Sequence, residues 1–273
     1  MNNPLFTETE YLYAYSYIKN KLTEGIYFEN QDTIPLATLL GGQPGAGKSN
    51  LTNVILSDNE NTIVIDGDQI RNYHPHIKEI EAEYGMDYPK ATQPFVNRAV
   101  EQLIDELSKE RYNLIIEGTL RDINVPIKTA SLLKERDYQI ELYVIATDKE
   151  ISWKATIARG DALKEAGETP RYVDKIHHDK VVESIPQTLT KLASRDDLFD
   201  DIVIMNRNQQ ILYQKTTTPE KDPGEVLRNA LNGRTELEEL QSLDDMIKEA
   251  FVDRIPEKQS NERDFHSSQY ENR

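Results

Sequence analysis

The sequence predicts an α/β fold: a mostly parallel central sheet with helices on both faces and helical additions at each end. Three observations predict it. Short apolar runs alternate with longer segments whose apolar residues recur at helical spacing, the pattern of repeated strand–helix–strand units. The first run feeds into Gly42-Gln43-Pro44-Gly45-Ala46-Gly47-Lys48-Ser49, which matches G-x-x-x-x-G-K-[ST] at every required position. Asp68 and Glu117 end or follow later runs, where the carboxyl ends of parallel strands gather a ligand site.

Taken in order, residues 1–33 read as a helical extension. Thr7 and Glu10 have capping-box spacing, and Tyr11, Tyr13, Tyr15, Tyr17 and Ile18 follow, either packed on the core or docking a partner. Residues 34–215 form the phosphate-loop, kinase-like core. Its strands are expected over 34–40, 63–65, 113–117, 140–146 and 202–205, with a hairpin arm over 210–215. A helix over 48–56 follows the loop, and one over 94–109 carries Phe95, Val96, Ala99, Val100, Leu103, Ile104 and Leu107 on one face. Further helices are expected over 125–136, 150–163 and 172–192. Residues 216–255 read as C-terminal helices: Thr235 and Glu238 repeat the capping-box spacing, and Leu237, Leu240, Leu243, Ile247 and Phe251 form a stripe. Residues 256–273 are polar and are expected to be disordered.

Composition narrows the function. A net charge of −16 speaks against a non-specific nucleic-acid binder, which needs a basic face to displace counterions. No apolar run approaches the ~20 residues that span a bilayer, and the first ten residues lack the basic-then-apolar order of a signal peptide. With no cysteine there is no disulfide framework or thiolate metal site, so a soluble cytoplasmic protein is expected. In so acidic a chain, isolated arginines near a phosphate site become informative.

The loop chemistry is specific. Glycines let backbone amides wrap a polyphosphate, Lys48 reaches the β and γ phosphates, and the Ser49 hydroxyl can ligate the bridging Mg²⁺. ATP and Mg²⁺ are the expected cofactors. No Asn-Lys-x-Asp string is present, which weighs against a GTPase switch. Leu40-Gly-Gly-Gln43 overlaps the loop itself and cannot be a separate transporter signature. Ile115-Ile116-Glu117 keeps a water-activating ATPase open. A phosphotransferase needs a carboxylate to take the acceptor's proton and cations around the moving phosphoryl group. Asp68 suits the first need, with Asp66 competing; Asp68 lies further past the strand end. Glu117, Thr119 and Arg121 make a compact patch for a polar, anionic acceptor. Arg159 and Arg171 bracket a polar stretch, with Gly160 and Gly167 as hinges of a mobile lid.

Leu39 through Ser49, Val64-Ile-Asp-Gly-Asp68, His74-Pro75, Tyr112-Asn-Leu-Ile-Ile-Glu-Gly-Thr-Leu-Arg121, Val125-Pro126 and His178-Asp179 together resemble the zeta toxin family over about residues 5–215. The resemblance implies a bacterial toxin kinase that uses ATP and Mg²⁺. It would phosphorylate the 3′-hydroxyl of the amino-sugar in UDP-N-acetylglucosamine, blocking cell-wall precursor synthesis. It also implies a small helical antitoxin of the epsilon type that obstructs the nucleotide site. Carried onto this chain, Asp68 would be the base. Lys48, Arg159 and Arg171 would neutralise the transferring phosphate. Glu101, Glu117, Thr119, Arg121 and Thr129 would hold the substrate. Here Thr169-Pro170 precedes Arg171, whereas in relatives the second lid arginine stands before that pair, so Arg171 is placed by its distance to His178-Asp179. His177 and His178 read as helix-surface or core residues rather than metal ligands. Another small-molecule kinase and a nucleotide-gated interaction protein remain as alternatives.

Overall fold

The computed structural model describes residues 5–233. Helix α1 (Glu8–Thr23) opens with the expected capping box: Thr7 and Glu10 satisfy each other's backbone amides. Tyr11, Tyr15 and Ile18 enter the main core against Phe95 and Leu103, while Tyr13 and Tyr17 stay exposed. The extension is thus packed into the core by one face and open on the other.

Strand β1 (Leu36–Gly41), helix α2 (Lys48–Asp58) and strand β2 (Thr62–Ile65) follow. Between β2 and the next long helix lie short helices α3 (Gly67–Arg71), α4 (Ile77–Tyr84) and α5 (Tyr88–Ala91), which periodicity did not reveal. Helix α6 (Gln93–Lys109) buries Phe95, Ala99, Leu103 and Leu107 completely. Each of the Phe and Leu side chains contributes roughly 1.5–3 kcal/mol on leaving water. Strand β3 (Asn113–Glu117), helix α7 (Asn124–Lys134) and strand β4 (Gln139–Ala146) come next. Helices α8 (Lys149–Glu165) and α9 (Lys175–Ala193), strands β5 (Asp201–Asn206) and β6 (Ile211–Gln214), and helix α10 (Pro223–Leu231) complete the order.

The sheet runs β2-β3-β1-β4-β5-β6, parallel except for β6, which pairs antiparallel with β5 as the expected hairpin arm. Buried on both faces, β1 and β3 read as continuous apolar runs, as parallel strands do. Strand β1 sits between β3 and β4, with Leu40 paired to Glu117 on one side and to Tyr143 on the other. The chain therefore reverses its winding direction at β1, and a crevice opens at its carboxyl end. Helix α10 packs on α9; a Cβ on Gly224 would meet the Pro186 carbonyl oxygen at 2.4 Å, so the two backbones touch directly. The stripe from Leu237 to Phe251 and the polar tail lie outside the described residues.

Candidate active site

The phosphate loop has a backbone that side chains would forbid. Gly45 (φ +76°) and Gly47 (φ +97°) lie in the left-handed region. A Cβ on Gly45 would fall 2.1 Å from the Ser152 carbonyl oxygen, because α8 packs straight onto the turn. Gly47 caps α2 without a side chain, leaving the first helical amides open to an anion.

The loop is held from behind. The buried Gln43 amide donates to the Thr147 carbonyl (2.7 Å) and to Ser152 Oγ (3.2 Å). Thr147 Oγ1 donates to the Ala46 carbonyl at 2.7 Å. His178, fully buried, brings Nε2 within 2.9 Å of the Ser152 hydroxyl and so ties α9 to the same network. Gln43 thus turns its side chain away from the phosphates and offers them only its backbone. Lys48 Nζ donates to the Gly42 carbonyl at 3.3 Å. Burial lowers its pKa, opposed by Glu117 and Asp68 and reinforced by Arg159.

Asp66 and Asp68 divide the work at the end of β2. Asp66 caps α3, its Oδ1 accepting from the Asp68 amide at 2.8 Å. The Asp68 carboxylate instead faces cations: Arg171 Nη1 lies 2.9 Å from Oδ1 and Arg71 Nη2 lies 3.9 Å away. Desolvation pushes the Asp68 pKa up, but Arg171, Arg159, Arg71 and Lys48 together outweigh it and hold the carboxyl below its ordinary range. Its side chain nonetheless keeps 51% exposure, so an acceptor can reach it.

Arg159, on α8, has a buried Nε with no hydrogen-bond partner among the described residues. Burial and the neighbouring Arg171 push its pKa down to about 10, against Asp68 and Asp66. An unsatisfied buried donor costs roughly 1–3 kcal/mol, which an incoming anion would remove. Arg71 was not singled out from the sequence. It is buried, with Nη1 donating to the Pro89 carbonyl (2.6 Å) and Thr92 Oγ1 (2.5 Å). No motif surrounds it, so its only signal was a lone arginine shortly after a strand end.

The lid differs from the expectation. Gly160 is not a hinge but lies inside α8, where the Tyr172 ring covers it; a Cβ would sit 2.3 Å from Tyr172 Cε1. Tyr172 also donates to Asp161 at 2.7 Å. Gly167 (φ +74°) does make a turn after the helix. Helix α9 starts at Lys175 rather than 172, because Asp174 caps it by accepting from the His177 amide at 3.0 Å.

Beyond β3, the Gly118 amide donates to the Leu40 carbonyl at 2.9 Å, keeping this loop beside the phosphate loop. Leu120 takes φ +55° and fills the space above Gly41, so Thr119 and Arg121 project outward. Arg121 Nη1 reaches 3.5 Å from His177 Nδ1 on α9. Glu117 Oε1 accepts from Thr52 of α2 at 2.8 Å. Glu101 is 70% exposed and pairs with Lys128 at 3.5 Å. Glu101, Thr119 and Thr129 make no hydrogen bond or ion pair to the Asp68 group. Lys48, Asp68, Arg159, Arg171 and Glu117 act on one another electrostatically.

Among the described residues no three or more His, Asp or Glu side chains are placed to hold a metal by themselves. Ser49, next to Lys48 in the loop, offers a hard oxygen of the kind Mg²⁺ takes while keeping several waters. A recess of about 630 Å³, lined by Tyr13, Tyr17, Tyr73 and Pro75 among others, contains none of the residues named above. Among the described residues no helix is long and apolar enough to cross a membrane.

The family model for zeta toxin matches residues 19–218. Toxin PezT of Streptococcus pneumoniae is 38% identical over 236 residues, covering 84% of this chain and 89% of that protein. Toxin zeta of Streptococcus pyogenes is 37% identical over 237 residues, covering 86% of this chain and 82% of that protein. A solved structure from the PezAT chromosomal toxin–antitoxin system of S. pneumoniae superposes with a TM-score of 0.77 and 31% identity, covering 93% of this chain and all of that one. AvrRxo1-ORF1, solved with ORF2 and ATP, has a TM-score of 0.56 at 12% identity over 90% of this chain and 87% of that one, a likeness of fold alone. On the family model and these relatives, the chain belongs to the zeta toxin family, a family of phosphate-loop kinase toxins from toxin–antitoxin systems.

Proposed function

We propose that this chain transfers the γ-phosphoryl group of ATP to the 3′-hydroxyl of the amino-sugar of UDP-N-acetylglucosamine, blocking cell-wall precursor synthesis. One observation carries the reading: Asp68, still accessible, sits in a ring of Arg171, Arg159, Arg71 and Lys48 beside an anion-binding loop.

In this mechanism the Asp68 carboxylate accepts the acceptor hydroxyl's proton as that oxygen attacks the γ phosphorus. The bond from that phosphorus to the β–γ bridging oxygen breaks, and ADP leaves. Lys48, Arg159 and Arg171 balance the charge on the three equatorial oxygens, and the unpartnered Arg159 Nε supports such a role. Ser49 would ligate Mg²⁺, which neutralises charge between the β and γ phosphates. Glu117, Thr119 and Arg121 would hold the sugar nucleotide, Arg121 meeting its diphosphate; Glu101 and Thr129 would contribute at the rim. The partner is a small helical antitoxin of the epsilon type, a reading supported by the toxin–antitoxin origin of the PezT relative.

The test is to incubate the protein with ATP, Mg²⁺ and UDP-N-acetylglucosamine and follow the sugar nucleotide by mass spectrometry. Gain of one phosphoryl group, located at the 3′-position by NMR, is expected. Transfer only to other small molecules, or ADP release independent of any acceptor, would overturn the assignment.

A further inference from the structure

One row of polar side chains behind the phosphate loop takes no step in the mechanism above. Asp179 Oδ1 lies 3.2 Å from His178 Nδ1, and His178 Nε2 lies 2.9 Å from Ser152 Oγ. Carboxylate, imidazole and hydroxyl follow one another as in a hydrolytic triad. Ser152 and His178 have no exposed surface, however, so no scissile bond reaches that hydroxyl. It meets the loop instead, accepting from the Gln43 amide at 3.2 Å. Asp179 sets the tautomer: a carboxylate at that distance takes the ring proton on Nδ1, which leaves Nε2 to accept from Ser152. Burial lowers the His178 pKa against the pull of Asp179, so at neutral pH the ring is neutral and keeps this polarity. With the ring absent, the hydroxyl turns back on its own helix, to the Lys149 carbonyl at 3.0 Å, and the tie between α8 and α9 is lost.

We propose that His178 is a positioning residue for phosphoryl transfer, which through Ser152 holds α8 at the depth that the phosphate loop and Arg159 both require. The inference rests on the phosphotransferase reading and deepens it. The Ser152 carbonyl oxygen is the atom that a Cβ on Gly45 would strike, so the turn has no slack against the helix. The Ser152 hydroxyl and the Thr147 carbonyl share the Gln43 amide. Arg159 stands about two turns further along the same face of α8. A shift of α8 therefore moves the loop amides and Arg159 together. His178 opposes that shift from behind, its ring also packing on Trp153 with centroids 5.6 Å apart. It belongs to the first turn of α9, and the segment leading into that turn carries Arg171, the partner of Asp68 at 2.9 Å. One buried ring thus joins the two segments that bring arginines to the transfer zone.

Paired substitutions in the full chain test it. A glutamine amide reaches the place of Nε2, an asparagine amide only that of Nδ1. His178→Gln should therefore keep the tie to Ser152, whereas His178→Asn and Ser152→Ala should break it. Calorimetric titration with ATP and with inorganic tripolyphosphate, both with Mg²⁺, reads the loop. Both ligands should weaken about tenfold in His178→Asn and in Ser152→Ala, as loss of one buried hydrogen bond does, and bind His178→Gln as they bind the wild type. The kcat for transfer to UDP-N-acetylglucosamine should fall further, by up to about 100-fold, the cost of a small misplacement of reacting groups. His178→Asn combined with Ser152→Ala should cost no more than either alone, because both cut one path. Losses that multiply in the double variant, or His178→Gln as impaired as His178→Asn, would mean that the ring only fills space, and overturn the proposal. Wild-type binding and rate in Ser152→Ala, which keeps the helix even if His178→Asn does not fold, would overturn it too. If the wild type binds both ligands but leaves UDP-N-acetylglucosamine unmodified, the acceptor assignment falls and the binding series alone decides on His178. Binding of neither ligand by the wild type removes the phosphotransferase reading and this proposal together.

Discussion

At the scale of residues, the cleft is an exercise in compensated charge. Asp68 would be costly to bury alone, and Arg159 and Lys48 are each pushed toward losing their protons by desolvation. Each is tolerable because the others are present. Arg171 makes the shortest contact to Asp68, at 2.9 Å. Replacing it, Arg171→Ala, should lower kcat by roughly 10²–10³-fold, as loss of one transition-state donor does. The pH profile supplies a second readout. Asp68 is held below the ordinary carboxylate range, so in the wild-type protein it stays ionised and ready as a base throughout the neutral and weakly acid range. Without Arg171 its pKa rises, and the acid limb of the kcat/KM profile should move to higher pH. An unchanged limb would mean that Arg171 does not govern the base.

At the scale of elements, the strands were legible and the short helices were not. Parallel strands buried on both faces must be apolar throughout, so β1, β3 and β5 announce themselves by composition, as does the end of β4 over Val144, Ile145 and Ala146. Helices α3 and α5 have 5 and 4 residues, too few for periodicity to register. They are pinned by Arg71 bonding to Pro89 and Thr92, a contact spanning about twenty positions that no local pattern encodes. Gly160 shows a different limit: in a polar stretch a glycine suggests freedom, whereas here it marks close contact with Tyr172. Gly160→Ala should therefore force Tyr172 aside, costing about 1–3 kcal/mol by overpacking. Because Arg171 immediately precedes Tyr172, phosphate transfer should fall as well. Denaturant unfolding together with kcat checks both; wild-type stability and rate would show that the lid root tolerates a methyl group.

At the scale of the whole molecule, stability should decline on acidification well before carboxylates titrate. His74 is buried against Phe95 and Phe6, and its Nδ1 accepts the His76 amide at 3.1 Å. Burial pushes its pKa down to about 4 from the ordinary 6.5. Between those values the unfolded chain binds the proton and the folded chain does not, so stability falls as pH drops through the window. Glu10 acts in the same direction lower down. Held at about 2 against 4.5 by Thr7, it stabilises above pH 4.5 and loses that contribution as pH falls toward 2. The thermal midpoint should thus fall from pH 6.5 to pH 4, and more gently in His74→Gln. A flat midpoint over that range in the wild-type protein would contradict the burial of a neutral His74.

All three scales meet at the carboxylate beyond β2. The most direct test is the rate of phosphoryl transfer from ATP to UDP-N-acetylglucosamine in the wild-type protein and in Asp68→Asn, with ATP affinity measured alongside. Transfer should occur in the wild type and fall by roughly 10²–10⁴-fold in the variant, as loss of a general base does, while ATP binding is retained. Undiminished transfer by Asp68→Asn would show that the proton goes elsewhere and that the ring of cations serves another purpose.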